Sequence, residues 1–181
     1  MKTPRVLCVF ADGFEEIETL APVDLLRRAG AEVVLASVGS GRWLTGRCGV
    51  RVEAEVMLSE VETGLFDVLL IPGGPGVKAL RADGRPARLA REFVDGGRWV
   101  AAICAAPTVL ADAGLLAGRR FTAHASVQGE LPLALGGERV VEDGPLVTSR
   151  GAGTALDFGL AMVRRLFGEE RAREIALAIM A

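Results

Sequence analysis

Cys104 sits where an apolar strand gives way to a helix, in Trp99-Val-Ala-Ala-Ile-Cys104-Ala-Ala-Pro-Thr-Val-Leu110. Ala102 and Ala106, two residues to either side, are small, as a sharp strand-to-helix turn demands. Pro107 suits a first helical turn, where amides have no intrahelical acceptor. A sulfur at such a helix start faces free N–H groups, which favour the thiolate and lower its pKa. The chemistry on offer is nucleophilic attack on an electrophilic carbon. Taken alone, position 104 also fits an inert cysteine buried in a core.

Two further segments could complete a site around that thiol. Ile71-Pro72-Gly73-Gly74-Pro75-Gly76 closes another apolar strand. Consecutive glycines there present backbone N–H groups with no Cβ in the way, so Gly73 and Gly74 can bind a carbonyl oxygen or oxyanion beside Cys104. A plain turn would use the same residues. Neither GxxxxGK[ST] nor GxGxxG occurs, which sets phosphate and dinucleotide loops aside.

The segment Ala11-Asp-Gly-Phe-Glu-Glu-Ile-Glu-Thr19 follows the first strand. Glu15 and Glu16 read as dipole partners in a helix's first turn. Glu18 falls near an inward face shared with Ile17 and Ala21. Pro22, four residues on, cannot donate to the Glu18 carbonyl, which predicts a distorted helix there. A poorly solvated carboxyl in that setting has a raised pKa and can exchange protons. His124 is the one histidine in the chain, and tyrosine is absent.

The elements that must position these groups alternate apolar runs with amphipathic stretches, which predicts an α/β fold, a mostly parallel sheet with helices on both faces. Strands are expected at Arg5-Phe10, Glu32-Val38, Phe66-Pro72 and Trp99-Ile103, with a short one at Arg119-Ala123. Val140-Glu142 and Leu146-Thr148 read as an outer hairpin turning at Asp143-Gly144. Gly39-Glu55 reads as a hairpin-like excursion. Helices are expected near Glu15-Ala29, Pro86-Val94, Pro107-Leu116, Thr154-Phe167 and Glu169-Met180. The first should bury Ile17, Leu20, Ala21 and Leu25; the fourth should show Leu156, Leu160, Val163 and Phe167 on one face.

Length and charge narrow the function classes. The 181 residues suit one domain, 1–181. Formal net charge is −2 with acidic and basic residues interspersed, so no basic stripe points to nucleic acid. No apolar run reaches membrane-span length and the N-terminus lacks a signal pattern, which predicts a cytoplasmic protein with no membrane partner. The three cysteines are too scattered for a disulfide scaffold or a structural zinc site. Cys8 lies mid-strand and reads as core. A metal bound by Cys48, Cys104, His124 and Glu18 is conceivable, though no spacing requires it.

The segments ADGFEEIET with APVDLLRRAG, FDVLLIPGG, AAICAAPTVL and TSRGAGTALDFGLAMV, in this order, resemble the DJ-1/PfpI family of the class I glutamine-amidotransferase-like superfamily. The likeness spans nearly the whole chain and is closest to the small DJ-1 branch. It implies a flavodoxin-like three-layer sandwich, a homodimer and no cofactor. It places the family's cysteine on Cys104, its carboxyl on Glu18, its backbone oxyanion contacts on Gly73, Gly74 and Ala105, and the histidine of animal members on His124. Peptidase members carry histidine directly after the nucleophile; Ala105 stands there here, which argues against peptidase activity. Relatives often carry a basic residue or histidine where this chain has Cys48, a possible second thiol near the site. That thiol would either line the pocket as a small apolar group or capture an oxidised Cys104 as a disulfide. Ala125 and Ala152 replace prolines common in the family.

The resemblance supports a glyoxalase or deglycase acting on α-oxoaldehydes or early glycation adducts. Cys104 would form a hemithioacetal, with Glu18 and His124 moving protons. A stress-response protein whose Cys104 is oxidised to sulfinate uses the same residues. A vestigial cysteine is the third reading.

Overall fold

The computed structural model describes Lys2–Ala181. In chain order, the strands are β1 (Arg5–Phe10), β2 (Glu32–Ser37), β3 (Trp43–Thr45), β4 (Arg51–Glu53), β5 (Val56–Met57), β6 (Val68–Ile71), β7 (Trp99–Ile103), β8 (Val140–Asp143) and β9 (Leu146–Ser149). The helices are α1 (Glu16–Ala29), α2 (Val77–Asp83), α3 (Arg85–Asp95), α4 (Pro107–Asp112), α5 (Ala155–Phe167) and α6 (Glu169–Ala178). Seven strands form one sheet in the order β5-β2-β1-β6-β7-β9-β8. All neighbours in it pair in parallel except β8 with β9.

The parallel strands are apolar throughout because both faces of the sheet are covered. Along β1, Leu7 and Val9 point to one core, shared with Leu80, Phe93 and Leu110 of α2, α3 and α4. Val6, Cys8 and Phe10 point to the other, shared with Leu26 of α1, Met162 of α5 and Ile175 of α6. This is the expected three-layer sandwich. Cys8 is wholly enclosed, as its mid-strand position predicts, and burial drives its thiol pKa far up.

Several expectations need correction. Ile17 and Leu20 are exposed, at 54% and 36%. The buried stripe of α1 runs instead through Glu18, Pro22, Leu25, Leu26 and Ala29, and the helix continues through Pro22 without a break. Pro22 and Leu25 pack so closely on Gly159 of α5 that a Cβ there would lie 2.6 Å from Leu25 Cδ1. Leu156 is likewise exposed, and α5 buries Ala155, Phe158 and Met162. Arg119-Ala123 forms no strand: Phe121 and Ala123 are buried, but the Thr122 amide donates to Thr148 Oγ1 rather than to a ladder. α4 ends at Asp112 rather than Leu116, just before Gly114 at φ 67°. The short α2 and β5 have no counterpart in the sequence reading.

Gly39-Glu55 is a hairpin excursion as expected, with β3 and β4 antiparallel in a separate small sheet. It docks on the β1–α1 loop through Gly13 N–H to Thr45 O (2.8 Å), Arg47 N–H to Phe14 O (2.8 Å) and Thr45 N–H to Asp12 Oδ1 (2.8 Å).

Candidate active site

The sheet order reverses at β1, whose neighbours β2 and β6 are reached by crossovers in opposite directions, and ligands in open parallel sheets sit at the carboxyl ends of strands beside such a point. Here the loops after β1, β6 and β7 converge. Cys104 follows β7 with φ 67°, one of two non-glycine residues with positive φ among those described. A left-handed conformation at such a residue costs on the order of 1 kcal/mol and persists only where its surroundings enforce it. They do. The Cys104 N–H donates to Ser149 O at 2.8 Å, its carbonyl accepts from His124 N–H at 2.9 Å, and Ala106 N–H closes onto Ile103 O at 3.0 Å. The Ser149 loop is itself braced by Ser149 Oγ against Thr154 Oγ1 at 2.6 Å. This is the strained elbow that the small alanines predict.

Glu18 is 1% exposed. Its N–H donates to Glu15 Oε2 at 2.7 Å, so Glu15 caps α1 and fixes the turn carrying the acid. The Gly73 N–H donates to Glu18 Oε2 at 3.1 Å, while the Glu18 carboxyl also hydrogen-bonds the Cys104 thiol. Gly73 is required by proximity: a Cβ there would stand 2.5 Å from Cys104 Cβ and 2.9 Å from Ile103 O. The expected oxyanion contacts therefore divide. Gly73 serves the carboxylate, whereas the amides of Gly74 and Ala105 face the sulfur.

Electrostatics correct one expectation outright. Burial pushes the Cys104 thiol up, the Glu18 charge and hydrogen bond push the same way, and the Gly74 and Ala105 amides pull it down without prevailing; the result is about 12. Burial likewise raises Glu18, and the Glu15 charge adds to this, against hydrogen bonds from Cys104, Gly73 and Ala152; the result is about 7. The two titrations are linked, because a proton on Glu18 removes the charge that holds the thiol up. A carboxyl in that range can take up and release a proton near neutrality.

A stability consequence follows with a definite sign. Glu18 binds its proton more tightly folded than unfolded, so its contribution is complete below about pH 4.5 and is lost as pH rises through about 7. Glu18→Gln does not titrate and should gain on the wild type by roughly 3 kcal/mol across that window. Urea midpoints at about pH 4 and about pH 8 read this. Parallel curves for the two proteins would return Glu18 to an ordinary carboxyl.

His124 lies against the site: a Cβ on Gly151 would be 3.2 Å from its Cδ2 and 3.6 Å from Glu18 Oε1. The Ser126 N–H donates to His124 Nδ1 at 3.1 Å, which leaves Nε2–H as the donor of the neutral ring. Cys104, Glu18, Gly74, Ala105 and His124 share one cavity of about 550 Å³. Cys48 is not in its wall. Cys48 is exposed, and its amide donates to Glu16 Oε1 at 2.8 Å. Burial opposes the Glu16 charge, but the amides of Glu16, Cys48 and Val50 and the Cys48 thiol hold its pKa below the usual range. Glu16 is thus an anchor for the hairpin arm, not only a dipole partner. The basic residue turned into the cavity is Arg47, one position earlier than the resemblance suggests. Lys78 and Arg81 of α2 join it there, and the sequence reading missed all three. Among the described residues, no group of three or more His, Cys, Asp or Glu side chains converges as a metal site, so the conceivable set with Cys48 does not assemble.

Residues 4–165 match the DJ-1/PfpI family. The chain belongs to that family. Protein dj-1beta of Drosophila melanogaster is 36% identical over 178 residues, covering 96% of this chain and 95% of its own. Deglycase TK1284 of Thermococcus kodakarensis is 34% identical over 153 residues, covering 82% and 91%. The putative cysteine protease YraA of Bacillus subtilis is 39% identical over 127 residues, covering 70% and 75%. This DJ-1/PfpI chain spans only 46% of Protein DJ-1 homolog A of Arabidopsis thaliana, a longer relative. The structure of Toxoplasma gondii DJ-1, oxidized, superposes with TM-score 0.92 at 35% identity, covering 98% of each chain. No helix of the described residues is long and apolar enough to cross a membrane.

Proposed function

We propose that this protein is a cofactor-free, cysteine-dependent enzyme acting on reactive α-oxoaldehydes, a glyoxalase or deglycase-like activity that proceeds through a Cys104 hemithioacetal. The observation that carries the reading is the pairing of a half-buried thiol on a strained turn with a buried carboxyl whose pKa burial pushes up to about 7. Glu18 takes the thiol proton as sulfur adds to the aldehyde carbon. The Gly74 and Ala105 amides stabilise the oxygen that becomes charged. Glu18 hands that proton to the oxygen and, as a carboxylate again, moves the hydrogen of the former aldehyde carbon to the neighbouring keto carbon. His124 supplies a proton to the keto oxygen and recovers one from the hydroxyl of the former aldehyde carbon as its carbonyl forms. A thioester results, and water cleaves it to a 2-hydroxy acid and free thiol. The aldehyde carbon is oxidised and the keto carbon reduced, so no outside oxidant is consumed. The deglycase name of the Thermococcus relative supports the aldehyde or glycated substrate class.

No imidazole follows the nucleophile, since Ala105 stands there, and the His124 ring accepts from Ser126 through Nδ1. That arrangement does not favour peptidase chemistry. Exposed Ile17, Leu20 and Val50 around the α1 N-terminus support the homodimer that the family suggests. The oxidized Toxoplasma neighbour supports a second reading, in which peroxide converts Cys104 to sulfinate held by the same amides. The deciding test is lactate formation from methylglyoxal, at a rate proportional to protein and insensitive to a metal chelator. Purified protein that yields no lactate, yet gains two oxygens on Cys104 under mild peroxide, would leave the second reading.

A further inference from the structure

The cavity over Cys104 carries more positive charge than capture of a small uncharged aldehyde requires. Arg47 reaches it from the hairpin arm and Lys78 from α2. Among the described residues neither forms an ion pair, whereas Arg81 in the same wall is held by Asp112 at 2.7 Å and by Glu130 at 2.6 Å. The acidic groups of the wall are otherwise engaged. Glu130 is the Arg81 partner, Glu15 caps α1, and Glu18 is tied to Gly73 and Cys104. Two solvent-exposed cations without ion-pair partners thus line a space of about 550 Å³, where the reacting carbons of an α-oxoaldehyde leave most of the volume for the rest of the substrate.

Building on the α-oxoaldehyde reading, we infer that Arg47 and Lys78 select α-oxoaldehydes whose far end carries a carboxylate. Phosphate sites recruit backbone N–H groups beside side-chain cations, and here the glycine amides are already directed at Glu18 and the sulfur. A carboxylate needs only the side-chain donors that remain. The chemistry is unchanged: the thiol adds to the aldehyde carbon, its hydrogen passes to the keto carbon, and water releases a hydroxy acid that still bears the distal carboxylate.

The test compares 4,5-dioxopentanoate with 2-oxopentanal, an uncharged substrate of the same chain length. The ratio of their kcat/KM values is expected to favour the carboxylate by about tenfold or more at low salt and to shrink as salt screens the cations. Lys78→Met and Arg47→Met should each lower that ratio by about tenfold. A wild-type ratio near one, with both aldehydes consumed, overturns the selectivity and leaves the proposed activity standing. Stronger competition by inorganic phosphate than by acetate also overturns it. If neither aldehyde is consumed, the activity fails on its own, and the cation site is read by alkylation. Glutarate should slow iodoacetamide labelling of Cys104 but not of exposed Cys48, and Lys78→Met should abolish that protection. Equal labelling with and without glutarate ends the inference.

Discussion

Cys104→Ser is expected to lower kcat/KM for methylglyoxal by at least about 10³-fold while changing stability by no more than about 1 kcal/mol. Serine is close in size and can occupy the same φ of 67°, so the bonds to Ser149 and His124 survive. What is lost is the nucleophile. Glu18, titrating near 7, can draw a proton from a thiol held at about 12, but a hydroxyl lies well beyond that and forms a poorer bond to carbon for this chemistry. Lactate assays beside thermal unfolding separate the two effects. A serine variant that keeps a tenth or more of wild-type turnover would remove Cys104 from the mechanism.

The second large effect is expected at Glu18. Glu18→Gln should slow turnover by about 10²–10⁴-fold, the usual range for a positioned acid–base group. Glutamine can still accept from the Gly73 amide, so the loop after β6 keeps its partner. It cannot take the thiol proton. The wild-type kcat/KM should rise on the acid side through about pH 7, and the residual activity of the variant should lack that limb. A variant whose loss of activity merely tracks its loss of folded protein would mark Glu18 as structural.

The interior strands were legible because a parallel sheet covered on both sides leaves unbroken apolar runs, as in Val68-Ile71 and Trp99-Ile103. The elbow was legible too, since Ala102 and Ala106 flank the one cysteine that ends a strand. Positions set by distant packing were not. The buried face of α1 joins Leu25, Leu26 and Ala29 to Glu18 and to the contact of Pro22 with Gly159, so the equally apolar Ile17 and Leu20 end in solvent. Phe121 and Ala123 are apolar enough for a strand, but Thr148 takes up the Thr122 amide through its side chain. α2 has only Val77 and Leu80 buried in seven residues, too short a pattern to announce a helix. Arg47 reaches the cavity because the buried Glu16 carboxylate fixes Cys48 beside it, an anchor with no local sequence signal. The direction of the Cys104 titration needed the balance between burial and two amides, which spacing alone does not disclose.

The acceptor that holds the Cys104 amide belongs to Ser149 at the end of β9, a strand inserted between β7 and β8. That strand is synthesised long after the cysteine. Until it docks, the Cys104 amide lacks its acceptor, and one of the three hydrogen bonds that enforce the left-handed conformation is missing. The turn at Cys104 is therefore complete only once the chain as far as Ser149 has been made and paired.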